Sequence, residues 1–118
     1  MKTESPVSKE REDKKVLVVE DDPYTNELIS NLLGTRGFNV ISVSSGEEAV
    51  SKAMEIKPTM ILMDIVLKGS LDGFETARHI KIHSNIPVIY TTGNVDKLIQ
   101  QNDYQESVQA CYDREIHD

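Results

Sequence analysis

The chain has 118 residues, of which 38% are hydrophobic and 28% are charged, and its formal net charge is −7. This length suits one domain with one core, and the negative charge argues against nucleic-acid binding by the domain, which requires a basic face. A single cysteine, no apolar stretch of about 20 residues and no apolar signal core predict a cytoplasmic protein without a membrane partner.

Residues 1–13 are polar and charge-rich, contain Pro6 and show no apolar periodicity. We therefore predict that they form a disordered tail or leader. The predicted domain occupies residues 14–118.

The first element of that domain is an apolar run over residues 15–19, which has the composition of a buried strand. Three acids follow it, Glu20, Asp21 and Asp22, and then Pro23. Proline in the first helical position after an aspartate is typical of a helix start, so Asp22 is the predicted cap. Two glycines, Gly34 and Gly37, predict the end of this helix.

The rest of the chain continues to alternate between strand and helix patterns. A second buried-strand run, residues 59–63, ends in Asp64. The other predicted elements are a strand at 38–43, a helix opened by a Ser45–Glu48 capping box, a helix at 74–82, a strand at 86–90, a weak helix at 96–101 and a strand at 108–112. This order predicts an α/β fold, in which a parallel sheet carries helices on both faces.

Polar side chains follow three of these strands. If the strands are neighbours, Glu20, Asp21, Asp64 and Thr92 share the carboxyl edge of the sheet. Carboxylates this close repel one another, and Mg²⁺ relieves the repulsion with hard oxygen ligands. An aspartate beside Mg²⁺ can act as a nucleophile toward phosphorus, with Thr92 donating to the phosphoryl oxygens. Each acid alone has a simpler interpretation, a loop cap for Asp64 or a favourable helix N-terminus for the acidic run.

Four motifs together resemble the receiver domain of two-component response regulators, in the manner of a chemotaxis regulator. They are residues 16–22, 60–64, 72–73 and 87–93, and the resemblance covers roughly residues 15–112. It implies a doubly wound, five-stranded parallel sheet of flavodoxin-like order 2-1-3-4-5. It also implies a phosphorelay switch in signal transduction rather than an enzyme that turns over.

The resemblance implies a role for each site residue. Asp64 is the phosphoacceptor and Thr92 the switch hydroxyl. Asp21 and Asp64 bind Mg²⁺ directly, Glu20 binds it through water, and the backbone carbonyl of Val66 is a further protein ligand. The implied phosphoryl donor is a phosphohistidine on a sensor histidine kinase or phosphotransfer protein, and the downstream protein is not indicated.

The sequence departs from the family pattern in three places. The loop after the acceptor lacks the frequent proline, and Gly73 falls one residue late. The lysine–proline pair expected after the fifth strand is absent, and alignment leaves either Arg114 or Glu115 near that place. The chain ends where a last helix would begin, so a partner, the tail or a second copy in a homodimer is expected to cover that face.

Two other functions remain open from the sequence. A degenerate receiver that binds partners without phosphorylation is favoured by the missing lysine and opposed by the intact acids. An aspartyl-phosphate hydrolase is disfavoured, because it needs a second acid two residues after the nucleophile, where Val66 stands.

Other chemistry-bearing side chains receive weaker assignments. Tyr112 is either an aromatic side chain that rotates on activation or an ordinary strand residue. His79 and His83 are spaced for a zinc pair, but a solvated helix face is favoured because no third ligand stands nearby. Cys111 is interpreted as a core residue.

Overall fold

Four strands and three helices alternate along residues 14–91, the part of the chain that this computed structural model describes. The strands are β1 (Lys15–Val19), β2 (Asn39–Val43), β3 (Met60–Asp64) and β4 (Val88–Thr91). The helices are α1 (Pro23–Thr35), α2 (Gly46–Ile56) and α3 (Gly73–His83). None of these helices is both long and apolar enough to cross a bilayer.

All strand pairs are parallel, and the sheet has the order β2-β1-β3-β4. This arrangement confirms the predicted fold class and the first four positions of the predicted strand order. The helix predicted at 96–101 and the strand predicted at 108–112 lie outside the described residues. The proposed end of the domain therefore stays a prediction.

The main core lies between the sheet and the pair α2 and α3, which contact each other. Its fully buried members from the sheet and helices include Leu17, Val19, Ala49, Ala53, Ile61, Met63, Ala77 and Ile80. The chain moves from β1 outward to β2 and then reverses toward β3 and β4. Because parallel crossovers are right-handed, that reversal places α1 on the opposite face from α2 and α3.

Helix α1 begins as predicted and ends between the two glycines that predicted its end. The Asp22 carboxylate accepts a hydrogen bond from the Thr25 N–H at 3.0 Å, which caps the first turn. Gly34 lies in the last turn of α1, which continues to Thr35 and so ends between the two glycines. The chain turns only at Gly37, whose φ of 92° lies in the left-handed region that favours glycine.

Helix α2 starts at its Ser45 cap as predicted, but its capping box is incomplete. Ser45 caps α2 by accepting from the Glu48 N–H at 3.2 Å, whereas the Glu48 carboxylate accepts from the hydroxyls of Ser44 and Ser45. The complete capping box occurs instead at α3, between Asp72 and Glu75. The Asp-x-x-Glu spacing that signals it was present in the sequence.

Candidate functional site

The register of β1 and β3 brings the acids together. Val19 pairs with Met63, so Glu20 and Asp64 each follow a residue at the same level of the sheet. One carboxylate oxygen from each of Glu20, Asp21 and Asp64 can be chosen so that all three lie within 4.8 Å of one another. The convergence that the sequence predicted is therefore present.

Burial disfavours ionisation of the carboxylates in this cluster. The side chains of Glu20 and Asp64 are only 4% and 5% exposed, respectively. Burial, followed by the proximity of Asp64 and Asp21, raises the pKa of Glu20 to about 8, although a hydrogen bond from the Asp22 N–H at 2.9 Å opposes the rise. Without a cation, burial and the neighbouring carboxylates therefore favour the protonated form of Glu20.

The β3–α3 loop, residues 65–72, orients two of the three carboxylates. The Val66 N–H donates to Asp64 Oδ1 at 3.1 Å, and the Lys68 N–H donates to Asp21 Oδ2 at 2.9 Å. Val66, whose carbonyl was predicted to be a metal ligand, is buried within this loop. The loop thus contacts acids from both β3 and the β1–α1 connection.

Asn26 supports the site from α1, a contact that sequence reasoning missed. Its side-chain amide donates to the backbone carbonyls of Glu20 at 2.9 Å and Val43 at 3.0 Å. It thereby ties the first turn of α1 to the ends of β1 and β2. The sequence signals this contact only by placing an amide side chain one turn after an acidic strand end. Such an amide can donate to two carbonyls at once.

Gly73 allows α3 to start directly against the end of β3. A Cβ at this position would overlap the carbonyl oxygen of Asp64 and lie 2.8 Å from Ile65 Cα. The Gly73 N–H also donates to the Ile65 carbonyl at 3.0 Å, which closes the loop. The close packing of α3 against the end of β3 therefore explains why glycine follows Asp72 in the sequence.

The donor set fits a hard divalent cation. Mg²⁺ binds oxygen ligands in an octahedron at about 2.0–2.1 Å, so its opposite ligands lie about 4.2 Å apart. Three carboxylates whose oxygens lie within 4.8 Å of one another match that size. Soft or imidazole ligands are not part of this cluster, which disfavours zinc.

Several predicted functional residues lie outside residues 14–91. These are Thr92, Cys111, Tyr112 and Arg114, whose roles stay predictions. Thr91 pairs with Asp64 across β3 and β4, and Thr92 follows it in the sequence. On α3, His79 and His83 are both exposed, as expected for a solvated face, and the acid cluster is the one metal-type grouping found within the described region.

A parallel α/β sheet with an acid cluster at its carboxyl edge has the geometry of an α/β domain that can hold a divalent cation where such folds place their ligands. The chain matches the response regulator receiver domain family over residues 16–113, and it belongs to that family. Receiver domains of this family act as signalling switches, interact with histidine kinases and downstream effectors, and bind Mg²⁺ at an acidic site.

Among curated proteins, the chain is similar to the DNA-binding response regulator MtrA of Mycolicibacterium smegmatis. The two are 29% identical over 84 residues, which are 71% of this chain and 36% of MtrA. It is also 42% identical over 77 residues to a protein-glutamate methylesterase/protein-glutamine glutaminase of Syntrophus aciditrophicus, covering 64% of this chain and 22% of that protein. The chain thus spans about a third or less of the length of these relatives.

Solved structures give the same family. The receiver domain of the sensor histidine kinase PA1611 from Pseudomonas aeruginosa has a TM-score of 0.68 and 33% identity, covering 82% of this chain and 78% of that one. That structure has a magnesium ion coordinated in its active-site cleft. The BeF3-activated receiver domain of Klebsiella pneumoniae RstA has a TM-score of 0.64 and 31% identity, covering 69% and 68%.

Proposed function

We propose that this chain is a phosphorylation-dependent signalling switch. Asp64 accepts a phosphoryl group from a phosphohistidine on a sensor histidine kinase or phosphotransfer protein, and Mg²⁺ is required. The observation that carries this proposal is the convergence of Glu20, Asp21 and Asp64 at one edge of the sheet.

The four metal-holding groups have distinct roles in this proposal. Asp21, Asp64 and the Val66 carbonyl bind Mg²⁺ directly, and Glu20 binds it through water. When bound, the ion neutralises charge on the group being transferred. The Lys68 and Val66 N–H groups orient Asp21 and Asp64, respectively, through the hydrogen bonds described above.

The transfer itself needs an ionised and correctly oriented Asp64. One carboxylate oxygen forms the new bond to phosphorus while the P–N bond of the donor breaks, and the bonding electron pair stays with the imidazole nitrogen. The Val66 N–H, by donating to Oδ1, restrains rotation of the carboxylate. A fixed carboxylate lowers the orientational cost of the displacement.

The signal then passes from Asp64 to the surface of the domain. Thr91 is in register with Asp64, and this pairing supports Thr92, the next residue in the sequence, as the hydroxyl that donates to the phosphoryl group. That movement changes affinity for a downstream protein or a second copy of the chain. The net charge of −7 favours protein partners over nucleic acid.

A second candidate function is a receiver that binds partners without phosphorylation. The absence of a lysine–proline pair near Arg114 supports it. A hydrolase is a weaker candidate, because the position two residues after Asp64 is Val66, whose N–H rather than an acid contacts the acceptor.

Labelling with acetyl phosphate tests the proposal. We expect Mg²⁺-dependent labelling of the wild-type chain, none of Asp64→Asn, and none after chelation. Asp22→Asn is the matched control, because it removes a neighbouring acid that caps α1 and retains a capping side chain. Equal labelling of Asp64→Asn would reject Asp64 as acceptor, and failure of the folded wild type to bind beryllofluoride would favour the phosphorylation-independent candidate.

A further inference from the structure

The β3–α3 loop is held from its outer side by Glu47, the second residue of α2. Glu47 Oε1 accepts a hydrogen bond from the Ser70 hydroxyl at 2.5 Å. This hydroxyl is the main reason that the pKa of Glu47 is lowered. The carboxylate therefore holds the loop through the Ser70 side chain.

Two glycines lie where the loop meets α2, Gly69 in the loop and Gly46 at the start of the helix. Gly69 has φ = 105°, and a Cβ there would lie 3.7 Å from Glu47 Oε2, so the exposed turn of the loop lies against this carboxylate. A Cβ on Gly46 would lie 2.9 Å from Leu71 Cβ and would overlap the Thr76 hydroxyl. The start of α2 and the end of the loop are thus in direct contact.

The inner side of the same loop contacts the acid cluster. Lys68, two residues before Ser70, donates its N–H to Asp21, and Val66 donates its N–H to Asp64. The loop is therefore a short bridge between Glu47 on one side and the candidate metal ligands on the other. Lys68, Gly69 and Ser70 are exposed, so their own side chains add little packing and their hydrogen bonds contribute to their placement.

We propose that Glu47 is a positioning residue for the cation and phosphoryl site. By holding Ser70, it keeps the Lys68 N–H against Asp21 and restrains the segment that contributes the Val66 carbonyl. This inference rests on the proposed function for the identity of the cation. Its physical basis is that apparent affinity falls with the fraction of molecules in the conformation that can bind. A loop that is less restrained adopts that conformation less often.

Three substitutions separate the hydrogen bond from the charge. Glu47→Ala removes both, and Ser70→Ala removes the hydrogen bond while leaving the charge. Glu55→Ala is the matched control, because it removes an exposed acid from the other end of α2, where the acid forms an ion pair with Lys52 at 3.0 Å. Ser70→Thr restores a hydroxyl and is the rescue variant.

Calorimetric titration with Mg²⁺ alone measures the effect on the cation site. We expect Glu47→Ala and Ser70→Ala each to weaken Mg²⁺ binding by up to about fivefold, the effect of losing one hydrogen bond that acts through the loop. The double variant should lose little more than either single variant, since both remove one contact. Ser70→Thr and Glu55→Ala should bind Mg²⁺ as the wild type does.

Hydrogen exchange of the Lys68 amide in the metal-free protein gives an independent measurement. We expect faster exchange in Glu47→Ala and Ser70→Ala and no change in Glu55→Ala. If wild type binds no Mg²⁺, the proposed function fails, and amide exchange still decides the role of Glu47. Wild-type exchange and wild-type Mg²⁺ affinity in folded Ser70→Ala would overturn the inference, as would an equal loss of affinity in Glu55→Ala.

Discussion

The raised pKa of Glu20 makes the stability of the metal-free protein depend on pH. The pKa is about 8 in the folded chain against 4.5 as the ordinary value, so between these limits the folded state holds a proton that the unfolded state has lost. The extra stability is complete below about pH 4.5 and is lost as pH rises to about 8. We expect the free energy of unfolding to fall by up to about 1.4 kcal/mol per pH unit in this window.

Stabilisation of the protein by Mg²⁺ should have the opposite pH dependence. The ion stabilises ionised carboxylates, so binding to the cluster displaces the proton from Glu20. We expect the apparent Kd for Mg²⁺ to decrease by up to about tenfold per pH unit toward pH 8 and then to level off. Saturating Mg²⁺ should therefore stabilise the protein more at pH 8 than at pH 6.

Urea unfolding at several pH values, with and without Mg²⁺, measures both effects. Glu20→Gln is the informative variant, because its amide cannot titrate and is close to the protonated glutamic acid in shape. In the metal-free state, the free energy of unfolding of this variant should change much less between pH 5 and pH 8 than that of the wild type. A wild-type free energy of unfolding that rises or stays constant across this window, or an equally steep decline in Glu20→Gln, would refute the assignment of the proton.

Two further predictions concern the framework of the site. Gly73→Ala should destabilise the chain by about 1–3 kcal/mol in urea unfolding, because the added Cβ would overlap the Asp64 carbonyl. The control, Gly34→Ala, should stabilise the chain by about 1 kcal/mol, because a Cβ at this position has no neighbour within 4 Å. Equal effects of the two substitutions would contradict the steric explanation. Asn26→Ala should cost about 1–3 kcal/mol, because two backbone carbonyls lose their amide donor, and the exposed Asn31→Ala should stay within about 0.5 kcal/mol of wild type.

The features that the sequence predicted well are those set by local chemistry. The strand runs at 15–19 and 59–63 are apolar enough to require burial, and the Asp22–Pro23 pair requires a helix start. Parallel pairing then places the following acids at one edge, so the convergence of Glu20 with Asp64 follows from topology alone. No knowledge of loop conformation was needed for this part of the site.

The features that the sequence did not predict depend on contacts between segments that are distant along the chain. Ser70 and Glu47 are 23 positions apart, and Lys68 and Asp21 are 47 apart, so neither pair has a spacing that signals contact.

A proton on Glu20 and a divalent cation relieve the same repulsion by different means. The register of β1 and β3 forces the carboxylates together whether or not a cation is bound, since Val19 and Met63 pair in the sheet. The proton relieves the charge of Glu20 alone, whereas an ion at the centre of the cluster interacts with all three acids. Exchanging one proton for the ion would leave the strands in place, because the same register holds the acids in both states. Under the proposals above, this exchange requires a loop that keeps Asp21 and Asp64 in position, which is the role proposed for Glu47.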